Sequence, residues 1–212
     1  EIFAHEEKII KPYTEKRQGK RTAYIVIASD KGFAGDYNHK VLELAYRDMK
    51  NIKEKYVFTI GHMTYDFFVS KGIKVDMDFL HVTNNPILDD ARKIMYDVLD
   101  VYNKNMTDEV RLVYTSVISN SIHKPVVQKL LPLSDTSFYN DKLKEKEEKS
   151  EILEFNGKYN DVIDIVVKQY ILGTIYGALI QSVVAEHYQR MVAMDNATRN
   201  SKKMLYKLSL DY

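Results

Sequence analysis

The stretch of this chain best placed to do chemistry is a run of nine residues: Asp30-Lys31-Gly32-Phe33-Ala34-Gly35-Asp36-Tyr37-Asn38. They follow a β-branched apolar run from Thr22 to Ser29, so they fall at a strand's carboxyl end, where open α/β sheets bind ligands. Gly32 and Gly35 would let backbone N–H groups come close to a phosphate. Their spacing fits neither common phosphate loop, because the dinucleotide fingerprint needs G-x-G-x-x-G and the Walker loop needs G-x-x-x-x-G-K followed by Ser or Thr. A tight strand-to-helix turn is the better reading. Asp30 could act as the acidic residue of a phosphoacceptor pocket, but that use needs further carboxylates at neighbouring strand ends and an ordered lysine. Asp76 and Asp78 fall inside or at the edge of the third expected strand rather than after it.

Other chemistries find less support. The six histidines show neither H-E-x-x-H nor any close spacing with carboxylates, and no G-x-S-x-G elbow is present. The chain has no cysteine, which excludes disulfides, thiolate ligands and thiol-based redox control. Its 31 basic and 30 acidic side chains give a net charge of +1, without the clustered Lys and Arg of a nucleic-acid module. No catalytic residue, metal or cofactor is expected.

The elements that position the turn are legible as an alternation of apolar runs and helical periods. Thr22 to Ser29 reads as a strand buried on both faces, and Asn38 to Asn51 as a helix with Asn38 as N-cap and Val41, Leu42, Ala45 and Met49 on one face. A strand over Tyr56 to Ile60 and a short helix over Met63 to Ser70 follow, then a third strand over Lys74 to Val82. Asn85-Pro86 opens a helix with the stripe Ala91, Ile94, Met95, Val98, Leu99 and Tyr102. Two strands, Glu109 to Ser119 and Lys124 to Leu131, complete an α/β series. The expected fold is an open, mostly parallel sheet with flanking helices, its last strand an antiparallel edge, plus a long C-terminal coiled-coil helix.

That helix, Tyr159 to Tyr212, contains no proline. Its positions Ile180, Val184, His187, Met191, Met194, Thr198, Ser201, Leu205, Leu208 and Tyr212 alternate steps of three and four, the spacing of a seam that faces a partner helix. No second long helical pattern exists to supply the partner, so the chain is expected to be a piece of a longer protein. Gly173 and Gly177 are expected to let the helix approach a sheet or another helix closely. The apolar run Tyr170 to Ala185 falls short of the roughly 20 residues that cross a bilayer. The first residues are not expected to act as a secretory signal, because they contain no uninterrupted apolar core and no small-residue cleavage site. The expected division is a lead-in over 1–21, an α/β domain over 22–134, a solvated charged linker over 135–158, and the helix over 159–212.

Two stretches resemble the gamma subunit of the rotary F-type ATP synthase. YIVIASDKGFAGDYN, Tyr24 to Asn38, is similar to that family's first strand and turn, with Asp30, Lys31, Gly32, Gly35 and Asn38 at matching places. AEHYQRMVAMDNATRN, Ala185 to Asn200, resembles its C-terminal signature through Glu186, Arg190, Met191, Ala193, Met194, Ala197, Thr198 and Asn200. Leu130 to Leu133 resembles the end of its α/β domain. Phe33, Ala34 and Asp36 stand where the family often has Leu, Cys and Gly, and no cysteine-bearing plastid-type insertion is present.

The resemblance implies a non-catalytic central stalk, whose shaft turns inside a ring of alpha and beta subunits and whose base binds the epsilon subunit and the c-ring of the membrane rotor. It implies a peripheral place on the cytoplasmic face of a bacterial plasma membrane, or on the mitochondrial inner membrane. It also implies that the long helix is the lower part of the shaft and pairs with a helix from before Glu1. The competing class is an α/β nucleotide-binding domain or enzyme with a helical dimerisation tail, which predicts a ligand at the turn and a self-pairing seam.

Overall fold

The computed structural model describes residues 13–15, 17, 19–119, 121–133 and 159–211. The start of the expected lead-in, the charged linker and Tyr212 lie outside the described residues. Five strands form one sheet in the order β3-β2-β1-β4-β5. β1 (Thr22–Ile27) lies at its centre, parallel to β2 (Lys55–Ile60) on one side and to β4 (Glu109–Val117) on the other. β3 (Met77–Phe79) is a short parallel edge, and β5 (His123–Leu131) an antiparallel one.

The pleat of β1 divides two cores. Ala23, Ile25 and Ile27 face α3 (Leu88–Asn103) and α4 (Tyr159–Asp211), while Tyr24, Val26 and Ala28 face α1 (Tyr37–Met49) and α2 (His62–Ser70). All six of its residues are buried, as an interior parallel strand under two helix layers requires. On α3 the stripe Ala91, Ile94, Met95, Val98, Leu99 and Tyr102 is buried.

Local chemistry moves several expected boundaries. The third strand shrinks to three residues. The Asp76 N–H donates to the Val57 carbonyl at 2.9 Å, but the Val57 N–H is accepted by the Asp76 carboxylate, also at 2.9 Å, so a side chain replaces a strand carbonyl in one of the two bonds there. His81, at φ 64°, then turns the chain into a single 3-10 turn over Val82–Asn84. α1 begins at Tyr37 rather than Asn38, and Asn38 caps nothing because its side chain is turned to Ser29. α3 begins at Leu88, two residues after Pro86, with the Asp90 carboxylate accepting the Ile87 N–H at 3.3 Å. Gly173 and Gly177 do not mediate close packing: a Cβ added at either would meet nothing within 4 Å. The packed face of α4 is instead Val167, Ile171, Leu172, Ile175, Ala178 and Leu179, against β4 and α3.

Beyond Ala193 this helix leaves the sheet domain, its last contacts being those of Tyr188 with His123 of β5 and of Gln189, Arg190 and Ala193 with the turn after β1. From Met194 to Leu210 every residue is exposed, including Met194, Leu205 and Leu208 of the expected seam.

Candidate functional site

In this strand order the chain runs from β1 outward to β2 and β3, then returns to β4 on the other side. The crevice between the carboxyl ends of β1 and β4 is therefore the switch point at which such sheets bind ligands. Here α4 fills it. The side-chain oxygen of Gln181, Oε1, accepts the Ser116 hydroxyl and the Val117 N–H, both at 3.1 Å. The buried Tyr37 hydroxyl donates to the Ser182 carbonyl at 3.0 Å, and burial pushes that phenol well above its ordinary range. Ala34, Tyr37 and Ala185 close into a small apolar cluster beside Val117. The void left near Tyr37, Thr115, His123 and Gln189 measures about 20 Å³, against the several hundred that small-molecule pockets enclose.

The turn is held by its own polar groups. Asp30 ties three strand ends together: its carboxylate accepts the His62 N–H at 3.0 Å, the His81 N–H at 3.2 Å and the Thr83 hydroxyl at 2.7 Å. Its backbone N–H lies 3.1 Å from the Thr83 oxygen. The side-chain oxygen of Asn38 accepts the Ser29 N–H at 3.0 Å, and the Ser29 hydroxyl lies between that oxygen and the Lys31 carbonyl. Lys31 takes part through its backbone, while its side chain is exposed.

Glu186 and Arg190 bring α4 to this turn. Glu186 is 6% exposed and pairs with Arg190 one helical turn on. The same guanidinium donates through Nη2 to the carbonyls of Lys31, at 3.4 Å, and Gly32, at 3.2 Å. Gly35, at φ 59°, lies directly on the helix, since a Cβ there would be 4.0 Å from the Ala193 Cβ and from Gln189 Oε1. Asp30, Lys31, Gly32, Gly35, Asn38, Glu186, Arg190 and Ala193 thus form one locus. Met191, Met194, Ala197, Thr198 and Asn200 stand outside it on exposed helix, where the Thr198 hydroxyl donates to the Met194 carbonyl at 2.9 Å.

Ser29, Tyr37, Thr83 and Gln181 belong to the locus although nothing in their local sequence marks them. Tyr37 and Ala34 are the buried side chains of the nine-residue turn, whereas Phe33, the stronger apolar signal there, is exposed.

A larger cleft, about 630 Å³, opens at the opposite, amino end of the strands, lined among others by Lys20, Arg21, Lys53, Glu54, Glu109 and Arg111. Its arginines are already matched. Arg21 pairs with Asp108 at 2.9 Å, and Arg111 with Asp48 at 2.6 Å and Glu109 at 2.8 Å. Burial opposes the Arg111 charge, but the two carboxylates outweigh it and hold the guanidinium protonated. Among the described residues no group of three or more His, Asp or Glu could hold a metal ion, and no helix is long and apolar enough to cross a membrane.

A family model described as ATP synthase matches residues 1–212. The ATP synthase gamma chain of Acetivibrio thermocellus is 36% identical over 202 residues, which cover 93% of this chain and 68% of that one. The gamma chain of Caldanaerobacter subterraneus subsp. tengcongensis is 34% identical over 223 residues, covering 100% and 75%. Among solved structures, the central stalk and c-ring of the Tetrahymena thermophila mitochondrial ATP synthase aligns with TM-score 0.69 at 20% identity, over 92% of this chain and 84% of that one. The rotor of the Euglena gracilis enzyme aligns with TM-score 0.64 at 15% identity, over 95% and 78%. At those identities the structural likeness speaks for the fold, whereas the matches in sequence speak for descent. The chain belongs to the ATP synthase gamma-chain family.

Proposed function

We propose that this chain is the base and lower shaft of a rotary stalk: residues 22–134 form the sheet domain, residues 135–158 a linker, and α4 the lower part of the shaft. As a gamma chain it is a non-catalytic subunit of ATP synthase. In this reading the sheet domain meets the epsilon subunit and the c-ring, and the shaft leads toward the ring of alpha and beta subunits. The ion-driven turning of the c-ring then reaches the catalytic sites through this chain. The complex sits on the cytoplasmic face of a bacterial plasma membrane.

The observation that carries the reading is the division of α4. One stretch is packed against the sheet through Val167 to Ala185, and the next stands clear with Met191 60% exposed and Leu205 66% exposed. Apolar side chains at three-four spacing on a free helix are a surface made for other helices. The filled switch-point crevice weighs against a nucleotide-binding domain with a dimerisation tail, because α4 lies where the ligand would.

An affinity-tagged full chain, recovered from detergent-solubilised membranes, tests this. It should bring alpha, beta, epsilon and c subunits in fixed proportion, and inverted vesicles holding the complex should pump ions on addition of ATP. Recovery of the chain as a free dimer, or nucleotide turnover by the chain alone, would refute the reading.

A further inference from the structure

The last contacts of α4 with the sheet domain before the helix stands free are the edge-on ring contact of Tyr188 with His123 of β5, the bonds of Arg190 to the carbonyls of Lys31 and Gly32, and the approach of Gln189 and Ala193 to Gly35. Beyond them, residues 194–211 continue for about 27 Å at 1.5 Å per residue. A load on that free end is resisted first at this point. We infer that Arg190 is a positioning residue for rotation: by clamping the carbonyls of Lys31 and Gly32 it fixes the angle of α4 about its own axis, so that the shaft turns with the sheet domain. The inference rests on the stalk reading above.

Three features carry it. The apolar face of α4 resists separation without direction, and beyond the bonds at Gln181 and Ser182 the directional hold on the helix passes to Arg190, whose hydrogen bonds lose strength as soon as their geometry changes. At the roughly 5 Å radius of a helix with its side chains, a 20° rotation shifts the guanidinium by about 1.7 Å, enough to break bonds of this length. Second, the guanidinium is aimed. The buried Glu186 carboxylate holds it on one side, and only a planar fork with several donors reaches that carboxylate and two carbonyls together. Third, the partner is stiff, since Ser29, Asp30 and Asn38 hold the turn to three strand ends.

The chain has no cysteine, and this makes a covalent replacement possible. The ideal Cβ of Gly35 and the Cβ of Ala193 are 4.0 Å apart, within the 3.5–4.5 Å that a disulfide spans. Any strain from a side chain at Gly35 is common to both redox states.

The experiment uses the assembled complex in inverted vesicles and reads ions pumped per ATP hydrolysed. With Arg190→Ala the population of undocked turn should rise about tenfold, the factor that corresponds to 1.4 kcal/mol, and the pumping ratio should fall severalfold. Arg190→Lys, which keeps the charge beside Glu186 but not the fork, should lower it too. Glu186→Gln, which leaves the carbonyl bonds in place, should lower it less than either.

The variant carrying Arg190→Ala with Gly35→Cys and Ala193→Cys should recover the ratio when oxidised and lose it when reduced in the same vesicles, while wild type treated alike does not change. Because it is assembled oxidised, the comparison stands even where Arg190→Ala alone fails to assemble. Pumping at the wild-type ratio by Arg190→Ala and Arg190→Lys, or equal ratios in the two redox states, would overturn the inference alone. Absence of pumping by the wild-type complex would overturn the stalk reading beneath it.

Discussion

Val26→Asp is the sharpest test of the sheet. Val26 is fully buried on the central strand, beside Thr59 of β2 and Val113 of β4, in the core that contains Val41, Leu42, Ala45 and Met49 of α1. Removing its side chain from that core forfeits about 1.5–3 kcal/mol of burial. A protonated carboxyl left there without a partner costs about 1–3 kcal/mol more. At low pH the loss is therefore about 3–6 kcal/mol. Burial raises the new carboxyl's pKa above the unfolded value of about 3.9, by about 3 units at a site this enclosed. A raised folded pKa gives stability that is present below the unfolded pKa and lost as pH rises through the folded one. A further loss of about 4 kcal/mol should thus develop between pH 4 and 7.

The sum at neutral pH, about 7–10 kcal/mol, is comparable with the whole stability of a domain. Urea unfolding of the full chain at pH 4.5 and pH 7.5, followed by circular dichroism, reads both parts. Val26→Ala, with an expected loss of about 2 kcal/mol at either pH, isolates the volume effect. If Val26→Asp unfolds within 1 kcal/mol of Val26→Ala, by the resolution such transitions allow, or shows no dependence on pH, the strand is not interior as described.

Three further outcomes are expected. Gly19→Ala should lower the melting temperature, because its Cβ would come within 1.8 Å of the Asp108 carboxylate that Arg21 holds; Gly19→Ala with Asp108→Ala should melt no lower than Asp108→Ala alone, and additive losses would exclude the collision. Titration calorimetry of the chain with ATP, ADP and a dinucleotide should show no saturable heat, and binding that vanishes on altering Gly32 or Gly35 would place a ligand at the turn after all. Amide exchange in the isolated chain should lose protection rapidly from Asn200 to Asp211, where every side chain described is exposed, and slow down in the assembled complex; protection there equal to that of β1 would mean the seam is already covered.

What could be read from the residues depends on the range of the force involved. The apolar run of β1 and the stripe of α3 are set by burial on adjacent turns and pleats, so their patterns are visible locally. β3 was expected to be longer because a mixed-polarity strand and a turn look alike until Asp76 is seen bonding Val57, 19 residues away. Asn38 has the residue type of a helix cap, yet Ser29 competes for its oxygen and wins. Gly173 and Gly177 have the spacing of a close helix contact but lie on the open side of α4, a choice made by which stripe buries more apolar area. The two conspicuous stretches, around Asp30 and around Arg190, stand out separately. Their meeting is not legible, because 158 residues separate Gly32 from Arg190 and only the packed fold brings them into range.

The Asp30 carboxylate has a consequence for how this chain behaves among nucleotides. In sheets that bind them, N–H groups at strand ends are directed at a phosphate, an anion that comes and goes. Here the N–H groups of His62 and His81 and the hydroxyl of Thr83 are directed at a carboxylate of the chain itself. The acceptor is part of the chain: it cannot diffuse away, and removing it would leave three donors at neighbouring strand ends without their shared partner. The donors that a phosphate would need at these strand ends are thereby already taken by the chain's own Asp30.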